Sequence, residues 1–177
     1  TVNISFRGKA LTVPVVIKNA VKDRRVSFQQ DVVPVFTAAG CNTGACHGSA
    51  RGQDGFMISL FGYDPKGDYQ RVTREFAGRR INLALPEESL LLTKAIGTVP
   101  HTGGKLFEKD SPFHSTLLEW IKDGAKYDPA EIALPVKIEV EPKEFLLEGS
   151  AKEIPLTVKA TYSDGTDRDV STLSSYT

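Results

Sequence analysis

The hydrophobic period of this chain changes twice along its length. Up to Val26 apolar residues alternate with polar ones, as in Val2, Ile4 and Phe6, and a glycine in "RGKA" separates this run from "LTVPVVI". Between Ser27 and Asp128 apolar residues recur every three or four positions, interrupted by glycine-rich loops. From Leu134 alternation returns in "PVKIEVEP" and "LTVKATY". A period of two belongs to strands and a period near 3.6 to helices. The chain is therefore predicted to fold as β, then α, then β, a mainly helical domain with flanking strands (α+β overall). Neither β zone holds enough strands to close a core of its own, and Pro14 puts the second strand at a sheet edge.

Four helices are predicted in the middle zone. "SFQQDVVPVFTAAG" opens on Ser27 as cap and stops at Gly40, with Phe28, Val32, Val35 and Phe36 on one face and Pro34 forcing a bend or a restart. "DYQRVTREFAG" ends at Gly78, and "PEESLLLTKAIG" starts with Pro86 and two acids that suit the helix dipole. "SPFHSTLLEWIKDGA" is the clearest: Ser111 caps, Pro112 opens, Phe113, Leu117, Trp120 and Ile121 line one face, and Gly124 closes.

Charge narrows the function. With 22 Lys+Arg against 22 Asp+Glu, the chain carries no electrostatic footprint for nucleic acid or an anionic membrane. No apolar run is long enough for a membrane span, and Thr1 opens no leader pattern. The chain reads as a soluble piece of a longer exported protein.

Both cysteines fall in "GCNTGACHG", with His47 directly after Cys46 and four residues between Cys41 and Cys46. A Cys-x-x-Cys-His string attaches haem covalently. Here two extra residues must bulge outward between the thiols, which Gly44 and its small neighbours permit. A chain re-entering helix at His47 would turn the imidazole under the iron. Two other readings compete. A Cys41–Cys46 disulfide leaves His47 without a role. A zinc site wants four ligands, and the sequence offers only the distant His101 and His114 in addition.

A haem iron held by His47 takes a second ligand from the opposite side. Met57 lies too near His47 in sequence and reads as a core residue. His114 reads as a surface residue on the polar side of the last helix. His101 sits in the loop "GTVPHTGGKLF", stiffened by Pro100, where Gly103 and Gly104 let backbone approach a flat ligand. His101 is the expected distal ligand, with Lys105 in reserve. Phe36, Phe56, Phe61, Leu92, Leu117 and Trp120 are expected to wall the haem, and the arginines of Gly78–Arg80 to meet its propionates.

The segment from Ser27 to Ala125 resembles the planctomycete-type cytochrome c domain, through "DVVPVFTAAGC", "ACHGSA", "PEESLLLTKA" and "LLEWIKDGA". The resemblance implies a class I cytochrome c-like helical fold and one covalent haem c per chain, on Cys41 and Cys46 with His47 as proximal ligand. Many relatives carry a methionine loop where this chain has "VPHTGGK", a departure that favours a His47/His101 pair. The flanks "TVNISFRGKALTVPVVI" and "LPVKIEVEPKEFLLEGSAKEIPLTVKATYSDGTDRDVS" resemble incomplete bacterial immunoglobulin-like domains of the second group. The implied division is 1–26 and 129–177 for the two incomplete sandwiches and 27–128 for the haem domain.

The expected function is non-enzymatic electron transfer at low potential, in the periplasm or at the cell surface, with redox proteins as partners. The flanking strands are expected to hide their edges by pairing with each other or with a second molecule. Two further functional readings stand beside this one: an adhesive immunoglobulin-like module with a disulfide loop, and a haem sensor or peroxidase whose His101 is labile.

Overall fold

The computed structural model describes residues 1–15, 24–146 and 153–176. Strands β1 (Val2–Phe6) and β2 (Lys9–Val13) form an antiparallel hairpin with Val2 opposite Val13 and Ile4 opposite Leu11. These pairs give the hairpin one apolar face and one polar face, yet Ile4 and Leu11 are 53% and 62% exposed, so neither face is covered. The strand run beyond Val15 lies outside the described residues. Three strands form a second sheet in the order β3 (Pro135–Glu141), β4 (Thr157–Tyr162), β5 (Asp167–Asp169). Among the described residues the two sheets are separate, and no strand of one flank pairs with a strand of the other.

Helix α1 (Val33–Ala38) is entered through a π turn at Phe28–Val32, capped by the Ser27 hydroxyl, which accepts from the Gln30 N–H at 2.9 Å. This is how the chain accommodates Pro34. The wider register spans the residues before it, so the proline falls in the first turn of α1, where no N–H is required. Helix α2 (Pro65–Thr73) starts earlier than its apolar pattern predicts, because the Asp64 carboxylate caps it through the Gly67 N–H at 3.0 Å. Past Thr73 the expected helix tightens into a short 3₁₀ turn, Glu75–Gly78. The third predicted helix also splits. A 3₁₀ turn, Pro86–Glu88, breaks at Ser89 before α3 (Leu90–Ala95). Helix α4 (Pro112–Lys122) keeps its predicted cap, with the Ser111 hydroxyl accepting from the His114 N–H.

The core gathers Phe28, Val32, Val35 and Phe36 from the first helix with Ile58, Val72, Leu92, Leu117, Trp120 and Ile121. Phe28 lies 5.3 Å from both Tyr69 and Trp120 between ring centres, and the Trp120 N–H is satisfied by the Lys126 carbonyl at 2.9 Å. One buried carboxylate ties this core to the C-terminal sheet. Asp31 accepts from Arg24, from the Ser27 N–H at 2.7 Å and from Arg168 of β5 at 2.5 Å. Among the described residues no helix is long and apolar enough to cross a membrane.

Candidate functional site

The cysteine segment begins where α1 stops. The Cys41 N–H bonds the Phe36 carbonyl at 2.8 Å, which ties Cys41 back onto the end of the helix just past Ala39 and Gly40. Its own carbonyl accepts the His47 N–H at 3.0 Å, and the Thr43 carbonyl accepts from both Cys46 and Gly48 at 3.0 Å. The four intervening residues thus close on themselves as linked turns. The chain does not re-enter helix at His47 as expected. The fold sets the imidazole with longer-range bonds instead, the Ile58 N–H on the His47 carbonyl at 2.9 Å and His47 Nδ1 on the Phe56 carbonyl at 3.0 Å. Gly48 is indispensable to this closure, since a Cβ there would lie 2.0 Å from the Asn42 carbonyl oxygen.

His101 arrives from the loop between α3 and α4. That loop is pinched at its base by the Leu106 N–H on the Ala95 carbonyl at 2.8 Å. The His101 Nδ1 bonds the Gly104 carbonyl at 2.9 Å. Gly103 packs against the ring itself: a Cβ there would stand 3.0 Å from His101 Cε1. The glycine expected to admit a flat ligand therefore makes room for the imidazole.

A carbonyl can only accept, so each Nδ1 must carry the proton and each Nε2 keeps its lone pair. The two rings lie 6.1 Å apart between centres with 12° between their planes. Metal–imidazole bonds of about 2 Å on either side of one ion, with a nitrogen-to-centre distance of about 1 Å in each ring, put two axial imidazoles about 6 Å apart. Both rings and both cysteines line one pocket of about 290 Å³, walled by Phe36, Phe56, Ile58, Leu90, Leu91 and Leu106. The donor set, its spacing and the apolar walls fit the haem that the cysteine motif implies. Burial holds the His47 pKa below its usual value, against the opposing pull of the Phe56 carbonyl, so neutral imidazole is favoured, the form that binds metals. Burial, then the neighbouring Cys46, pushes the Cys41 thiol up to about 12. Both cysteines are free thiols.

The other sequence candidates separate from this pocket. Met57 does not line it. Lys105 is engaged by Glu108 at 2.5 Å. His114, expected at the surface, is only 3% exposed and accepts the Asp110 N–H at its Nδ1. It shares a face of α4 with Leu117 and Ile121, three and seven positions on, which carries it into the interior. Phe61, expected in the wall, is 63% exposed with φ of 51° and lies outside the pocket. Leu92, Leu117 and Trp120 belong to the core behind it. A zinc site finds no support, as no group of three or more His, Cys, Asp or Glu among the described residues could hold a metal ion.

Sequence reasoning missed Leu90, Leu91, Lys94 and Leu106, which reach the pocket because α3 and its loop fold over the cysteine segment. Both arginines expected at the propionates line the pocket: Arg79 is exposed, whereas Arg80 is buried and donates to the Arg71 and Gly55 carbonyls. Comparisons with family models, with curated proteins and with solved structures return no match. The functional reading accordingly rests on two imidazoles, two thiols and the walls around them.

Proposed function

We propose that the protein is a single-haem c-type cytochrome module that carries electrons one at a time outside the cytoplasm. The observation that carries this reading is the His47–His101 pair, 6.1 Å apart and nearly parallel, in the pocket shared with Cys41 and Cys46. Bound haem supplies an iron that cycles between two oxidation states. Cys41 and Cys46 would anchor it as thioethers, a linkage that thiols reach without an oxidant. A disulfide would instead require two electrons to be removed.

His47 would serve as the proximal ligand and His101 as the distal one, each keeping Nε2 available because its Nδ1 is bonded to a backbone carbonyl. Two protein ligands leave no open coordination position, which suits electron transfer over oxygen or peroxide chemistry. Phe36, Phe56, Ile58 and Leu106 exclude water, and Arg79 and Lys94 offer cations for the propionates. Paired imidazoles set a lower potential than a histidine–methionine pair. The redox partners are proteins that exchange single electrons.

The test is an absorption spectrum of chain matured with the haem c machinery, oxidised and reduced, after acid–acetone extraction. Haem that stays with the protein and gives a six-coordinate low-spin reduced spectrum is expected. Colourless protein beside a properly matured control cytochrome would replace this reading with the disulfide-bearing β module. Carbon monoxide binding to the reduced chain would replace it with the sensor or peroxidase.

A further inference from the structure

The carbonyl of Phe56 fixes which nitrogen His47 presents, so whatever holds that carbonyl also holds the ligand. The Gln53–Phe56 turn is closed by reciprocal bonds of 2.9 Å between its end residues, which leaves the Phe56 oxygen shared between the Gln53 N–H and His47 Nδ1. Beside this turn is Arg80, only 6% exposed. Its Nη2 donates to the Gly55 carbonyl at 3.0 Å and its Nη1 to the Arg71 carbonyl at 2.7 Å. The guanidinium carbon lies 4.2 Å from the centre of the Phe56 ring, and the His47 ring centre lies 4.6 Å from that same ring. Glu75, 3.5 Å away, is the carboxylate that faces it. A buried guanidinium is costly unless its donors are met, and here they are met by backbone oxygens of two separate elements.

We infer that Arg80 is a positioning residue for the proximal histidine: it ties the Gly55–Phe56 turn to the Arg71 carbonyl of α2 and thereby fixes the Phe56 carbonyl that orients the His47 imidazole. The clamp needs the planar fork. One flat group reaches two carbonyls while lying against an aromatic face, a planar geometry that an ammonium point charge does not reproduce. Arg80 lines the same pocket but makes no hydrogen bond to His47, and it reaches the orientation of that imidazole through the Phe56 turn. Its consequence for haem rests on the cytochrome reading; the clamp itself does not.

The experiment compares wild type with R80K and R80Q by electron paramagnetic resonance of the oxidised, haem-loaded chain. The spectrum reads the angle between the two imidazole planes. Wild type is expected to show the rhombic low-spin signal of near-parallel rings. Both variants are expected to broaden it and move its largest g value upward, and R80K, which keeps the charge, does not rescue it. Unchanged spectra in folded R80K and R80Q would overturn the inference and leave Arg80 a purely structural residue.

Should R80Q fail to fold, folded R80K alone decides the matter. A shifted spectrum there supports the clamp and an unchanged one overturns it. If wild type takes up no haem, the cytochrome reading fails separately. The clamp is then decided on the haem-free full chain by imidazole nitrogen shifts. In R80K the His47 tautomer ratio is expected to fall about fivefold, the worth of one ordinary hydrogen bond, and an unaltered ratio refutes it.

Discussion

Replacing Asp31 with asparagine removes one charge from a side chain that holds three parts of the molecule together. The carboxylate is 4% exposed and accepts from Arg24, from the Ser27 N–H and from Arg168. Asparagine keeps a single acceptor oxygen and turns an N–H toward groups that are themselves donors. Arg168, 22% exposed at its side chain, then loses its only carboxylate among the described residues. Breaking a buried ion pair costs about 3–5 kcal/mol. Arg24 is 43% exposed, so its share is screened by solvent, and the expected loss is about 2–4 kcal/mol at neutral pH. For a chain of this size that lowers Tm by about 5–15 °C.

The effect carries a pH signature. Burial alone would raise the Asp31 pKa, but hydrogen bonds from Arg24 and the Ser27 N–H and the charges of Arg24 and Arg168 outweigh it and hold the value below 3.8. A carboxylate whose folded pKa is depressed contributes stability above its unfolded value of about 3.9, and that contribution is lost as pH falls through the folded pKa. The stability gap between wild type and D31N is therefore full at neutral pH and closes below about pH 4. Denaturant melts at both pH values measure it. A neutral-pH gap under about 0.5 kcal/mol, or an equal gap in acid, would refute the account.

Three further outcomes follow from the geometry of the site. H101A opens the distal position, so the reduced haem-loaded chain gains carbon monoxide binding by its absorption spectrum, whereas M57L and K105A do not, because those residues lie outside the pocket. G48A puts a methyl group 2.0 Å from the Asn42 carbonyl and destabilises the chain by at least about 2 kcal/mol, read as a shifted denaturant midpoint. G103A presses on His101 Cε1 from 3.0 Å; it leaves the haem attached and alters the low-spin resonance spectrum, with an unaltered spectrum counting against the close packing described here.

What could be read in the sequence was whatever is decided locally. Ser27, Ser111 and Pro112 act through neighbours three residues away, so their roles stand out in the string. The loop position of His101 was legible because proline and glycine mark a loop, and the grouping of Cys41, Cys46 and His47 because they fall within seven positions. Arg80 was not, because its partners are the Arg71 and Gly55 carbonyls, which folding alone brings beside it. Nor was the role of Asp31, whose bond to Arg168 spans 137 positions. His114 was misassigned by residue type: its spacing from Leu117 and Ile121 already placed it on the apolar face. The π turn before Pro34 illustrates a subtler limit, since a proline announces that the register must change without saying how.

The loop that carries His101 is closed at its base by one backbone bond from Leu106 to Ala95, and the imidazole is oriented by the loop's own Gly104 carbonyl. His47, by contrast, is oriented by a turn that Arg80 secures to α2. One imidazole is thus built into the scaffold, and the other belongs to a self-contained segment whose contents can change while its ends stay put. On the cytochrome reading proposed above, rewriting about ten residues would exchange the distal ligand, and with it the operating potential, without touching the haem anchor. The site is in effect a constant half joined to an interchangeable one.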